Sequence, residues 1–285
     1  MGHRSAEHCH HPLLTPSAPE QLWYTRTAEQ LTTPTDRLVV DIGCGQAPMA
    51  IELATVLPDS VRVLALDSDP EALAAAAANI EQAGLTGRVT LIKHDLTDGV
   101  DSVRDQLSGA DLIWASSSLH HVGDQQRVVT ELAGLLRDGG RLALAEGGLA
   151  ERHLPWDVGV GEPGLELRLD AAQGRWFARM RADLPGSVPM PYGWSTALRK
   201  AGLSGIVTAS AVFEEATPLT SAAIEAVLHD LGHRAARLGA GGFLDDSDRA
   251  AWEQLLDPAS PVWLGHRDDL YSLTARTLYV GHLQS

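Results

Sequence analysis

The chain has 285 residues, 44% of them hydrophobic and 21% charged, an ordinary globular composition with ample length for a sizeable core. With 37 acidic against 22 basic residues the formal net charge is −15, which disfavours non-specific binding to nucleic acid or an anionic membrane, because Lys and Arg supply that affinity. No apolar run approaches the ~20 residues of a membrane span, and the amino terminus lacks the apolar core of a signal peptide. Two distant cysteines, Cys9 and Cys44, make no disulfide framework. The expectation is a soluble cytoplasmic protein, monomeric or homodimeric, that binds neither nucleic acid nor membrane.

Residues 1–17 carry His3, His8, Cys9, His10 and His11. They crowd together without the paired spacing of a structural zinc site, so the segment reads as a disordered terminus and no metal is expected. Residues 18–36 read as an amino-terminal helix whose Trp23 and Tyr24 either pack on a sheet or cover a ligand. Leu38 to Ile42 is a short apolar run without alternation, the pattern of a strand buried in a parallel sheet. It ends in Gly43-Cys44-Gly45, and Pro48 then opens a helix. A dinucleotide site needs free N–H groups for a pyrophosphate at the sixth position of this turn, where Pro48 has none. Asp41, two residues before the first glycine, would repel phosphate and attract a cation.

The next strand, Val61 to Leu66, ends in Asp67, 22 residues after Gly45. A carboxylate at that position can accept both hydroxyls of a ribose. Asp69-Pro70-Glu71 starts a helix that Gly84 stops. A third strand at 89–92 leads to His94-Asp95-Leu96, and a fourth at 110–115 to Ser116-Ser117-Ser118-Leu119-His120-His121. A helix from Gln125 to Leu136 is closed by Asp138-Gly139-Gly140, and a fifth strand ends at Glu146. Strands and helices alternating in this way give a doubly wound, Rossmann-like, mostly parallel α/β sheet. The strand-end carboxylates Asp41, Asp67 and Asp95 would select a cationic ligand containing a nucleoside.

Residues 37–146 resemble the core of a class I S-adenosylmethionine-dependent methyltransferase of the small-molecule type. The matching pieces are Val-Val-Asp-Ile-Gly-Cys-Gly at 39–45, Ala-Leu-Asp at 65–67, His-Asp-Leu at 94–96, Leu-His-His-Val at 119–122 and Leu-Leu-Arg-Asp-Gly-Gly-Arg-Leu at 135–142. The resemblance implies S-adenosyl-L-methionine as cofactor. It also implies that Asp41, Gly43, Cys44 and Gly45 hold its methionine end and that Asp67 with Ser68 holds the ribose. Asp95 and Leu96 would border the adenine, and Ser116 and Ser117 the sulfonium. Ala47 departs from a third glycine common in the family. His120 and His121 read either as part of the fold or as proton acceptors.

Beyond residue 150 the resemblance fades. Residues 151–204 read as a helical insertion on the substrate side, with a helix from Leu165 to Leu184 broken or bent at Gly174. Residues 205–285 read as the last two strands, the final one antiparallel, around a helical insertion at 214–269 that forms a substrate lid. Trp156, Trp176 and Trp194 are candidates, with Trp23 and Tyr24, for the wall of a substrate pocket. His153, directly after the fifth strand, is the first candidate for a general base. His229 and His233 have metal-ligand spacing but no evident third ligand. The expected activity is methyl transfer to an O, N or C nucleophile of a small, partly apolar biosynthetic metabolite. Two alternatives are other chemistry on the same fold, such as decarboxylation, cyclisation or rearrangement, and a cofactor-binding protein without catalysis.

Overall fold

The computed structural model of the chain describes residues 18–215 and 217–284; the amino-terminal His and Cys cluster lies outside them. Helix α1 (Ala18–Leu31) leads into β1 (Leu38–Ile42), whose five residues are all buried. Alternation along the strand sorts its side chains onto two faces. Leu38, Val40 and Ile42 enter one apolar cluster and Val39 enters the other. There follow α2 (Pro48–Val56), β2 (Arg62–Asp67), α3 (Pro70–Gln82) and β3 (Val89–Lys93). The chain continues through the short α4 (Arg104–Leu107), β4 (Ala110–Ser116), α5 (Gln125–Ala133) and β5 (Leu136–Arg152). Asp69 caps α3 by accepting from Glu71 N at 2.8 Å, with Pro70 in the first turn, as the sequence predicts.

The remaining elements are α6 (Leu165–Asp183), α7 (Trp194–Lys200), β6 (Leu203–Glu215), α8 (Ser221–Ala240), α9 (Asp246–Leu256) and β7 (Ser272–Leu283). The seven strands form one sheet in the order β3-β2-β1-β4-β5-β7-β6. The pairs β1/β2, β1/β4, β2/β3 and β4/β5 are parallel. β7 runs against its neighbours: Ser204 bonds His282 and Ser210 bonds Thr277, so one number falls as the other rises. The predicted sheet and its antiparallel last strand are therefore those observed.

Two expectations need correction. β5 does not end at Glu146 but runs on to Arg152, where Thr274 Oγ1 donates to Leu149 O at 2.9 Å. Gly147 and Gly148 mask this continuation in the sequence. α6 is continuous through Gly174, whose position on an exposed turn costs only the ~1 kcal/mol of a helical glycine.

The chain packs as two units. Among the described residues, the first takes in 18–146, Met190–Ala209 and 278–284; the second is Gly147–Pro189 with 210–277. The first unit carries both apolar layers of the parallel strands. On one side α5 and α7 pack, and on the other α1, α2 and α3. The second unit has its own core, built by α6, α8 and α9 around Leu169, Leu231, Leu238, Trp252 and Leu255.

Candidate active site

The site is assembled where β1, β2 and β4 end in the first unit. Gly43 has φ +65°, and a Cβ there would stand 2.4 Å from Ser118 Cβ, so only glycine allows the loop after β4 to cross the turn. Gly45 has φ +53° with open space around it, and its requirement is conformational. Ala47, also left-handed at φ 64°, caps α2. Cys44 N donates to Leu66 O at 2.9 Å and ties the turn to β2.

Asp41 is buried behind the turn, close enough for its charge to act on Cys44. It shares the face of Val39, beneath α2, and its Oδ2 accepts from Ala50 N at 3.1 Å. Burial, reinforced by the charge of Asp67 and opposed by the Ala50 N–H, raises its carboxyl to about 7. Burial and the same two carboxylates push the Cys44 thiol far up, so it stays protonated and unreactive.

Asp67 is the group the turn presents. Its Oδ2 accepts from Gly45 N at 2.9 Å and its Oδ1 from Asp69 N at 2.9 Å. Two backbone donors thus fix the carboxylate, while each oxygen keeps a further lone pair. Ser68, Lys93, His94, Asp95 and Asp98 line an open cavity of about 350 Å³ at the ends of β2 and β3. Asp95 Oδ1 accepts from Thr97 N and Thr97 Oγ1, both at 2.8 Å, and so caps the turn Leu96–Asp98. Leu96 is half-buried against the core. At the end of β4, Ser116 Oγ is buried without a hydrogen-bond partner among the described residues. Ser117 is exposed in a left-handed conformation at φ 48°.

A residue the sequence reading left without a role, Glu146, organises the loop after β4. Its Oε1 accepts from Ser118 N and Leu119 N, each at 2.8 Å, and its Oε2 lies 3.0 Å from His120 Nδ1. A buried carboxylate on Nδ1 calls for a proton there, which puts the basic lone pair of His120 on Nε2. The His121 ring stacks beside it, centroids 4.1 Å apart. The available signal was an acid ending an otherwise apolar strand next to a serine-rich loop.

The family profile described as "Methyltransferase domain" matches residues 39–140. These residues are thus similar to a methyltransferase domain. Among curated proteins, the 27-O-demethylrifamycin SV methyltransferase of Amycolatopsis mediterranei is 34% identical over 111 residues, 39% of this chain and 38% of that protein. Methyltransferase GfsG of Streptomyces halstedii is 33% identical over 118 residues, 41% of this chain and 40% of that protein. The match thus spans about two fifths of the length of these relatives. A solved precorrin-6y C5,15-methyltransferase from Geobacter metallireducens, 14% identical, superposes with a TM-score of 0.51 over 96% of this chain and 92% of that one, a likeness of fold.

The substrate and base candidates divide between the two units. Trp23 packs on Trp114 of β4 with ring centroids 5.9 Å apart, and Tyr24 is buried in the same cluster. Trp194 is half-buried against the opposite cluster. Trp156 and Trp176 belong to the second unit. Trp156 is exposed and lies over Gly164, while Trp176 stacks under Arg237 at 4.3 Å. His153 is also there, buried, with Nδ1 3.2 Å from Tyr271 O. Burial opposes its charge, but Asp230 and Glu151 outweigh burial and lift its pKa to about 9. No helix among the described residues is long and apolar enough to cross a membrane.

Proposed function

We propose that this chain transfers the methyl group of S-adenosyl-L-methionine to a nucleophile of a small, partly apolar metabolite, in biosynthesis or secondary metabolism. The observation that carries this reading is the Asp67 carboxylate, pinned by Gly45 N and Asp69 N with lone pairs left for two neighbouring ribose hydroxyls. The surroundings fit the same cofactor. Gly45 leaves open space at the turn, the helix after the turn begins on a proline without an N–H for phosphate, and Ser116 Oγ is buried without a partner among the described residues. In this reading Gly43, Cys44 and Gly45 hold the methionine end through their backbone, with Asp41 behind them. Ser68 stands beside the ribose, Asp95 and Leu96 border the adenine, and Ser116 and Ser117 border the reacting end.

When bound, the cofactor supplies a methyl group already activated on a sulfonium. The chain's own task is then alignment, which can contribute on the order of 7 kcal/mol or more to the barrier. An oxygen acceptor is favoured, because Glu146 orients His120 with its basic nitrogen on Nε2. Removing a hydroxyl proton there adds about 10² to 10⁴-fold. The name of the Amycolatopsis relative assigns it a methylation at oxygen, which supports the same choice here.

The test is incubation with methyl-labelled S-adenosylmethionine and a panel of phenols, alcohols and amines, read by mass spectrometry. A product heavier by one labelled methyl supports the proposal. An isomer, or loss of CO₂ with the cofactor intact, overturns it.

A further inference from the structure

The second unit holds a group of side chains that the methyl-transfer reading does not use. Glu151 and His153 are two apart on extended chain and therefore point to one side. Asp230, in the middle of α8, meets them. His153 Nε2 lies 3.4 Å from Glu151 Oε2 and 3.8 Å from Asp230 Oδ2, and the three donor atoms all lie within 4.8 Å of one another. His153 is only 2% exposed, and its Nε2 is buried without a hydrogen-bond partner among the described residues. The opposite nitrogen, Nδ1, faces Tyr271 O at 3.2 Å. With Nδ1–H donated to that carbonyl, a cation that displaces the second ring proton meets the Nε2 lone pair between two carboxylates, the arrangement that orients a metal-ligating imidazole.

We propose that Glu151, His153 and Asp230 bind a divalent transition-metal ion of the zinc type. Ligands about 2.0 to 2.2 Å from one ion stand roughly 3 to 3.5 Å from each other, so the observed group needs to contract by little more than 1 Å. Glu151 is half-exposed and can make that movement, and Asp230 is a quarter exposed, which gives the ion a route from solvent. The charges ask for a cation. Four carboxylates, Glu151, Glu166, Asp170 and Asp230, surround this spot against two guanidiniums, Arg152 and Arg234. Asp230 Oδ2 also lies 3.4 Å from Arg234 Nη1, and a carboxylate oxygen has a second lone pair to give. One imidazole with two carboxylates suits Zn²⁺ better than Mg²⁺, which prefers oxygen alone. The ion would clip the end of β5 to α8, within the second unit.

The experiment is calorimetric titration of the full-length chain with Zn²⁺ at neutral pH, in a background where His3, His8, His10 and His11 are replaced by alanine and Cys9 by serine. One equivalent should bind, Mg²⁺ should not compete, and thermal unfolding should move upward with Zn²⁺. Glu151→Gln, at a half-exposed side chain that leaves the core intact, should weaken binding about tenfold or more, and His153→Gln should abolish it. No binding in the background chain, or binding that Glu151→Gln leaves unchanged, overturns the proposal. So does binding that disappears with His229→Ala or His233→Ala and survives Glu151→Gln.

Discussion

The strand-end carboxylates of the first unit and the helix-borne carboxylates of the second are neutralised in different ways, although each unit also holds the other kind: Arg141 pairs with Asp36 in the first, and Glu166 takes His153 N and Leu154 N in the second. In the first unit the carboxylates at strand ends are held mainly by backbone N–H groups. Asp41 takes Ala50, Asp67 takes Gly45 and Asp69, and Glu146 takes Ser118 and Leu119. Asp111 takes Arg37 and Leu38 in the same way at the other end of β4, which holds its carboxyl below the usual range despite burial. In the second unit side chains answer each other within and across helices. Arg234 pairs with Asp170 and Asp230, and Arg168 pairs with Asp248. Backbone donors come with the strand-turn-helix plan itself and leave carboxylate lone pairs for a ligand. Ion pairs between helices consume both partners and mainly fix packing.

Breaking the second arrangement should have the larger effect on stability. Arg234→Ala removes the buried guanidinium that Asp170 and Asp230 share, a loss of about 3 to 5 kcal/mol in urea unfolding. Arg234→Met, which keeps the packing, should lose the same partners and rescue part of that cost. In the first unit Glu146→Ala strands two buried N–H groups, and about 2 to 4 kcal/mol should be lost by the same measure. If Glu146→Ala proved the more damaging, the contrast between the units would fail.

This difference also explains what was legible in the sequence. The order of strands and helices, the Asp69 cap and the position of Asp67 follow from local patterns a few residues long. Glu146 was harder, because its partners come from a loop some 26 to 28 residues earlier that only the register of β4 on β5 brings alongside. The second-unit network joins Arg234 to Asp170 and Arg168 to Asp248, separations of 64 and 80 residues. No periodicity reports such pairs. For the same reason the sequence does not show that α8 brings Asp230 beside His153.

The pH dependence of stability sharpens the comparison further. Asp41 gives up its proton near 3.8 when unfolded but holds it to about 7 when folded. The folded state therefore binds more protons between those values, and this contribution to stability is lost as pH rises from about 4 to 7. Asp41→Asn, which can still accept from Ala50 N, should flatten that slope, by up to the order of 4 kcal/mol across the window. Urea midpoints measured from pH 4.5 to 8 in both proteins decide it, and parallel curves would remove Asp41 as the source. The smallest expected change is Gly45→Ala, where φ +53° costs about 1 kcal/mol and nothing is struck. Gly43→Ala, which meets Ser118, should cost clearly more in the same unfolding experiment.

The most direct test of the account is calorimetric titration of the full chain and of Asp67→Ala with S-adenosylmethionine, S-adenosylhomocysteine and NAD. Micromolar binding of the first two by the unaltered chain, none of NAD, and a loss in Asp67→Ala of about 1.5 to 3 kcal/mol for each ribose hydrogen bond is the predicted result. Binding of NAD alone, or an affinity for S-adenosylmethionine that Asp67→Ala leaves untouched, would contradict the site described at the end of β2.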